Sequence, residues 1–157
     1  MQLSLHADYA LRTLLYLGAY PNETIATKRI SEAYGISRNH LVRVVQTLAE
    51  TGYVQATAGR TGGIRLAKSP DQIRLGQVVR DAEPNLVLVE CFDRATNTCP
   101  IAPACELKGI LRDALEVFLK HLDGYTLEDL IAGRRQPDLV RIFTATGRQA
   151  DSTSAAC

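Results

Sequence analysis

At 157 residues the chain is one domain, or a small domain with an appended segment, and it contains no apolar run of the roughly 18 residues needed to cross a membrane. Its start, MQLSLHADYALR, lacks the basic segment and apolar core of a signal peptide, so a cytoplasmic protein without stable disulfides is expected. The net charge of +1 points to no partner, but residues 1–80 hold ten Lys/Arg against five Asp/Glu (+5) and residues 81–157 hold eight against twelve (−4), so any nucleic acid meets the first half.

That half reads as helices followed by a hairpin. Leu11, Leu14 and Leu15, preceded by Ala7 and Ala10, follow the spacing of an amphipathic helix that Pro21 and Asn22 end. Thr27 is placed as the N-cap of a second helix reaching Ala33 or Tyr34, and Gly35 supplies a turn. Ser37 caps a third helix, whose Leu41, Val44, Val45 and Leu48 form one apolar face before Gly52. Two helices joined at Gly35-Ile36-Ser37 have the layout of a helix-turn-helix.

With that face turned inward, Arg38, Asn39, His40 and Arg43 lie on the outer surface where recognition helices meet base edges: arginine reads guanine and asparagine reads adenine. The plain alternative is a solvated polar face. Next come two strand-like runs in YVQATAGRTGGIRLAK, around a turn with Gly59, Gly62 and Gly63 and with Arg60 at its tip, near Arg65 and Lys68. Such a basic wing suits phosphates or a narrow minor groove, and otherwise it is a surface hairpin. Lys28, Ser37, Arg38, Asn39, His40, Arg43, Arg60, Gly62, Gly63 and Arg65 are the candidate DNA-contacting set.

Leu75 to Ala82 is expected as a short helix, and Leu86 to Val89 as a brief apolar run. Cys91, Cys99 and Cys105 then fall within CFDRATNTCPIAPAC, separated by seven and five residues, with Pro100 and Pro103 stiffening the second interval. Three thiols on one loop read as a metal site. Zinc sites usually pair ligands at closer spacing, whereas an iron–sulfur cluster spreads its ligands over several irons. Iron–sulfur is favoured on that ground, with zinc and with redox or structural thiols left open. No histidine stands in a nucleophile–base pattern with a cysteine, so an enzyme is not expected.

Leu107, Ile110, Leu111, Ala114, Leu115, Phe118 and Leu122 repeat at three and four up to Gly124, an apolar stripe broader than one small domain needs. A homodimer through this helix would set two recognition helices about one DNA turn apart, on an inverted-repeat operator. The alternative is packing within its own subunit. The fold expected is mainly α with a small β-wing: a winged helix-turn-helix at 1–82, a cysteine loop at 83–105, a dimerisation helix and further helix at 106–143, and a disordered tail at 144–157 that includes Cys157.

The opening MQLSLHADYALRTLLYLG, the unit ISRNHLVRVVQTLAETGYVQATAGRTGGIRLAK and the segment VECFDRATNTCPIAPACELKGIL together resemble the IscR/NsrR-type family of winged-helix iron–sulfur regulators, over roughly residues 1–145. The likeness is strongest to its nitric-oxide-sensing repressors. It implies a homodimer in which Cys91, Cys99 and Cys105 ligate a 4Fe-4S cluster and an aspartate from the first helix of the partner subunit completes the set; Asp8 occupies that place. Otherwise Asp8 charges the first turn of its helix, and His6, Glu90 and Asp93 are weaker candidates for the same role. The nearest rivals are an IscR-like 2Fe-2S regulator of cluster assembly, a zinc-stabilised scaffold and a thiol redox protein.

Overall fold

The computed structural model describes residues 2–59 and 62–154, with side chains in the last helix to residue 146. Helix α1 spans Leu5–Ala19 and starts where the Ser4 hydroxyl accepts the Ala7 N–H at 3.1 Å. Its Ala7, Ala10, Leu14 and Leu17 are buried as one stripe. Helix α2 spans Thr27–Tyr34. Its cap position is Ala26, which makes no side-chain bond, and not Thr27 as expected. The cause is the neighbouring sheet: Ile25 exchanges two backbone hydrogen bonds of 2.8 Å with Ile64, which keeps Ala26 extended and makes Thr27 the first helical residue.

Gly35, at φ 64°, turns the chain, and Ser31 fastens the turn by donating its hydroxyl to Ile36 O at 2.8 Å. Helix α3 spans Arg38–Glu50 with Leu41, Val44, Val45 and Leu48 buried. Strands β1 (Val54–Thr57) and β2 (Gly63–Leu66) pair antiparallel, Val54 opposite Leu66 and Thr57 opposite Gly63, and the Ile25 bridge adds a third short rung. After a 3-10 turn at Pro70–Gln72, α4 covers Leu75–Ala82.

The cysteine-bearing stretch contains two 3-10 turns, at Glu90–Phe92 and Ala102–Ala104, and leads into α5, Glu106–Asp123. Helix α6 (Leu127–Ile131) is held by a capping box between Thr126 and Asp129. Helix α7 runs Arg135–Ser154, through residues 144–154 of the stretch expected as a tail, and Cys157 lies outside the described residues. Its Pro137 sits in the first turn, where no intrahelical N–H is required, and no later proline interrupts it.

One core joins α1 to α4, the wing, α6 and α7. Leu14, Leu17, Ile30, Leu41, Leu48, Ile64, Ile73, Val78 and Leu127 are all at most 2% exposed, and Phe143 of α7 closes the cluster against Tyr16 and Tyr34, at ring distances of 4.6 and 5.4 Å. Helix α5 contributes only Leu119 to the buried residues. Among the described residues no helix is long and apolar enough to cross a membrane.

Candidate functional site

The recognition-helix residues stand where the inward face leaves them. Ser37 caps α3 by accepting the His40 N–H at 3.3 Å, and Ser37, Arg38, Asn39, His40 and Arg43 are all exposed. Among the described residues neither Arg38 nor Arg43 has an acidic partner at ion-pair distance, so both guanidiniums are open to a polyanion. Lys28, on α2, is exposed and pairs with Glu32 one turn on at 3.3 Å, a weak surface contact that a phosphate would displace.

Two contacts between α1 and α3 are absent from the sequence reading. His6 Nε2 lies 3.0 Å from Thr47 Oγ1, and the Tyr9 and His40 rings lie tilted at 37° with centroids 6.4 Å apart. They border a cleft of about 220 Å³ beside Arg43. Each joins residues far apart in sequence, and no local pattern signals that.

In the wing, Gly59 takes φ 108°, a conformation few other residues adopt. A Cβ on Gly62 would collide with Thr57 O, and one on Gly63 with Ile25 O. Close backbone approach therefore accounts for both glycines before any DNA contact is considered. Arg65 is exposed on β2 and donates to Gln55 Oε1 at 3.0 and 3.3 Å across the ladder. Arg60 lies outside the described residues.

Cys91 sits in the 3-10 turn at Glu90–Phe92, Cys99 in the following loop, and Cys105 at the cap position of α5, where it makes no side-chain capping bond. All three are free and half-exposed. The loop's polar side chains hold its shape: Glu90 accepts the Thr98 hydroxyl at 2.7 Å and the Thr98 N–H, Asp93 accepts the Thr96 hydroxyl at 2.8 Å and the Ala95 N–H at 2.9 Å, and Asn97 accepts the Cys99 N–H at 3.1 Å. The Thr98 hydroxyl and N–H hold the Glu90 carboxyl below the usual carboxylate range, and the Ala95 N–H and Thr96 hydroxyl do the same for Asp93. Both carboxylates are thus occupied in shaping the loop.

Asp8 lies in the first turn of α1 and forms a two-pronged pair with Arg12, at 2.7 and 3.0 Å. Among the described residues of one chain, no three His, Cys, Asp or Glu side chains converge on a point fit for a single ion. Three reduced thiols spaced along one shaped loop, with Cys105 at the positive end of an 18-residue helix, fit a polynuclear iron–sulfur group whose irons each take a separate ligand.

From Glu83 to Phe118 no residue is buried, and α5 exposes Leu107, Ile110 and Val117 by 59%, 63% and 67%. A helix-turn-helix followed by a hairpin, with exposed arginines on the second helix and a thiol loop later in the chain, defines a winged-helix DNA-binding regulator. The family model described as Rrf2, Iron-dependent Transcriptional regulator, matches residues 3–133, and the chain belongs to the Rrf2 family.

The chain is 48% identical over 132 residues to the HTH-type transcriptional regulator NsrR of Shouchella clausii (strain KSM-K16), covering 83% of this chain and 89% of that one. With the regulator of the same name from Bacillus subtilis (strain 168) it shares 44% over 144 residues, 91% and 97% of the two chains. The solved structure of T. potens IscR superposes with a TM-score of 0.67 at 22% identity, covering 83% of this chain and 86% of that one, a likeness of fold. CymR (YrzC), the global cysteine regulator of B. subtilis, gives 0.62 at 28% identity, with 83% and 95% covered. The chain is a transcriptional regulator and not an enzyme.

Proposed function

We propose that the chain is a homodimeric repressor that senses nitric oxide through a 4Fe-4S cluster held by Cys91, Cys99 and Cys105, with Asp8 of the partner subunit as the fourth ligand. The observation that carries this reading is the stretch from Glu83 to Phe118, which has three free thiols and no buried residue. It holds three ligands but buries none of its own residues, and a cofactor and a second copy would supply that burial. The NsrR name borne by relatives at 44% and 48% identity supports the nitric-oxide assignment.

When bound, the cluster supplies iron open to nitric oxide, above all at the carboxylate-held corner, since a carboxylate is a weaker partner than a thiolate for such iron. An Asp8 without that role is held by Arg12, as in the single chain. Helix α1, which carries Asp8, touches the recognition helix through His6–Thr47 and Tyr9–His40, so a change at Asp8 acts on α3. On the operator, an inverted repeat, Arg38, Asn39, His40 and Arg43 meet base edges while Lys28, Arg60 and Arg65 meet phosphates.

The test is a titration of anaerobically purified protein against its operator before and after stoichiometric nitric oxide. Brown protein with about four irons per chain and an affinity loss of at least about tenfold, 1.4 kcal/mol, are expected, and Cys99→Ser should be colourless and bind weakly from the start. Iron-free protein that binds as tightly as the intact form would refute the proposal. Optical and Mössbauer spectra separate 4Fe-4S from the IscR-like 2Fe-2S form.

A further inference from the structure

Helices α4 and α5 are fastened at a point that also reaches the wing. Gly76 leaves no room for a side chain, since a Cβ there would collide with Asp123 Oδ1 and crowd Leu119 O at 2.8 Å. Over this crossing Arg80 donates from both terminal nitrogens to the two Asp123 oxygens, each at 2.7 Å, a fork that fixes direction as well as distance. The backbone closes around it: Arg74 donates its guanidinium to Asp123 O at 2.9 Å, Leu75 N–H reaches Tyr125 O at 3.0 Å and Leu127 N–H reaches Ile73 O at 2.8 Å.

The next side chain along α4, Asp81, accepts the Tyr53 hydroxyl at 2.6 Å. Tyr53 is buried just ahead of β1, its N–H bonded to Leu48 O of α3 and its carbonyl accepting Ala67 N–H just past β2. Adjacent residues of one short helix therefore grip the end of α5 on one side and the root of the recognition unit on the other.

We infer that Arg80 and Asp81 are positioning residues for DNA recognition: through Asp123 and Tyr53 they set the angle of the recognition helix and wing on α5, and so the separation of the two reading units in the dimer. The inference rests on the proposed dimer through α5. An ion pair whose side chains are 33% and 36% exposed adds little to stability. A merely stabilising role and a positioning role therefore differ in what they change: the first acts on folding alone, the second on simultaneous engagement of two half-sites.

The experiment uses the full chain purified anaerobically, a duplex selected by the wild type from random sequence, and the half-site cut from it. Arg80→Ala and Tyr53→Phe should each weaken binding to the full duplex about tenfold while half-site affinity stays within about twofold and the thermal midpoint moves by only a few degrees. Arg80→Lys should recover part of the loss. Tyr53→Phe removes a single oxygen and keeps the test valid where Arg80→Ala fails to fold. Equal losses on both duplexes, or no loss on either, overturn the inference alone. A wild type that binds both duplexes equally overturns the dimer reading and this inference with it.

Discussion

The winged-helix body and the segment that follows it are built on opposite terms. Up to Ala82 nearly every apolar face has a partner: Ala7, Ala10, Ile25, Ile30, Ile73, Val78 and Val79 are fully buried, and α6 and α7 return to cover what the first four helices leave open. From Glu83 to Phe118 no apolar residue is fully covered, and Val87, Ile101, Leu107, Ile110 and Val117 are all more than 40% exposed. The body has the burial from which folding stability comes, whereas the loop and α5 carry contacts still to be made. A regulator gains from this split, because a segment that does not hold up the body can be ordered or released without unfolding it.

Damage to the body and damage to α5 should have separate effects. Leu41→Ala removes a side chain that is 1% exposed on the inner face of α3 and should cost about 2–5 kcal/mol in denaturant unfolding, a large share of a typical domain's stability. A loss below about 1 kcal/mol would show that the core is not packed as described. Ile110→Asp combined with Val117→Asp alters two residues seven apart on the exposed stripe of α5, 63% and 67% uncovered in the single chain. Unfolding of the single chain should change by about 0.5 kcal/mol or less. Self-association, which would bury those carboxylates unpaired, should weaken by about 3 kcal/mol, roughly a hundredfold. Sedimentation velocity reads the second effect, and an unchanged dimer would move the contact surface off this stripe.

The same division governs what the sequence discloses. The face Leu41, Val44, Val45 and Leu48, the cap at Ser37, the turn at Gly35 and the bounds of α4 are local matters of period and cap chemistry, and they stand in the structure where they were read. Asp8 stands in the first turn of α1, where the sequence puts it, whereas α6, with five residues, is too short to show a period. The cap at Ala26 was missed because a bridge from Ile25 to Ile64, 39 positions away, decides it. Around the candidate site the three cysteines stood out by type and spacing. The Asp8–Arg12 pair was within reach of the one-turn rule for helices, while His6–Thr47 and Arg80–Asp123 depend on topology that no short window contains.

Acid separates the two regions more finely, with a smaller effect. In the body, the Thr126 N–H and hydroxyl hold the Asp129 carboxyl below the usual aspartate range, at 2.7 and 2.9 Å, in the capping box of α6. In the loop, Glu90 is held down in the same way by Thr98. A carboxylate whose folded pKa is depressed contributes stability above its ordinary value near 4 and loses it as pH falls through the folded value. Leu127 and Ile131 of α6 are buried, and a Cβ on Gly18 would lie 3.1 Å from Ile131, so loosening that cap is felt by α1 and the core. Asp129→Asn should therefore lower the urea midpoint of cluster-free protein at neutral pH, and the gap to the wild type should close below about pH 4. Glu90→Gln should open only a smaller gap, closing over the same acid range, because no buried residue depends on the bond it removes. A pH-dependent gap for Glu90→Gln as large as that for Asp129→Asn would mean that the thiol loop is part of the cooperative body.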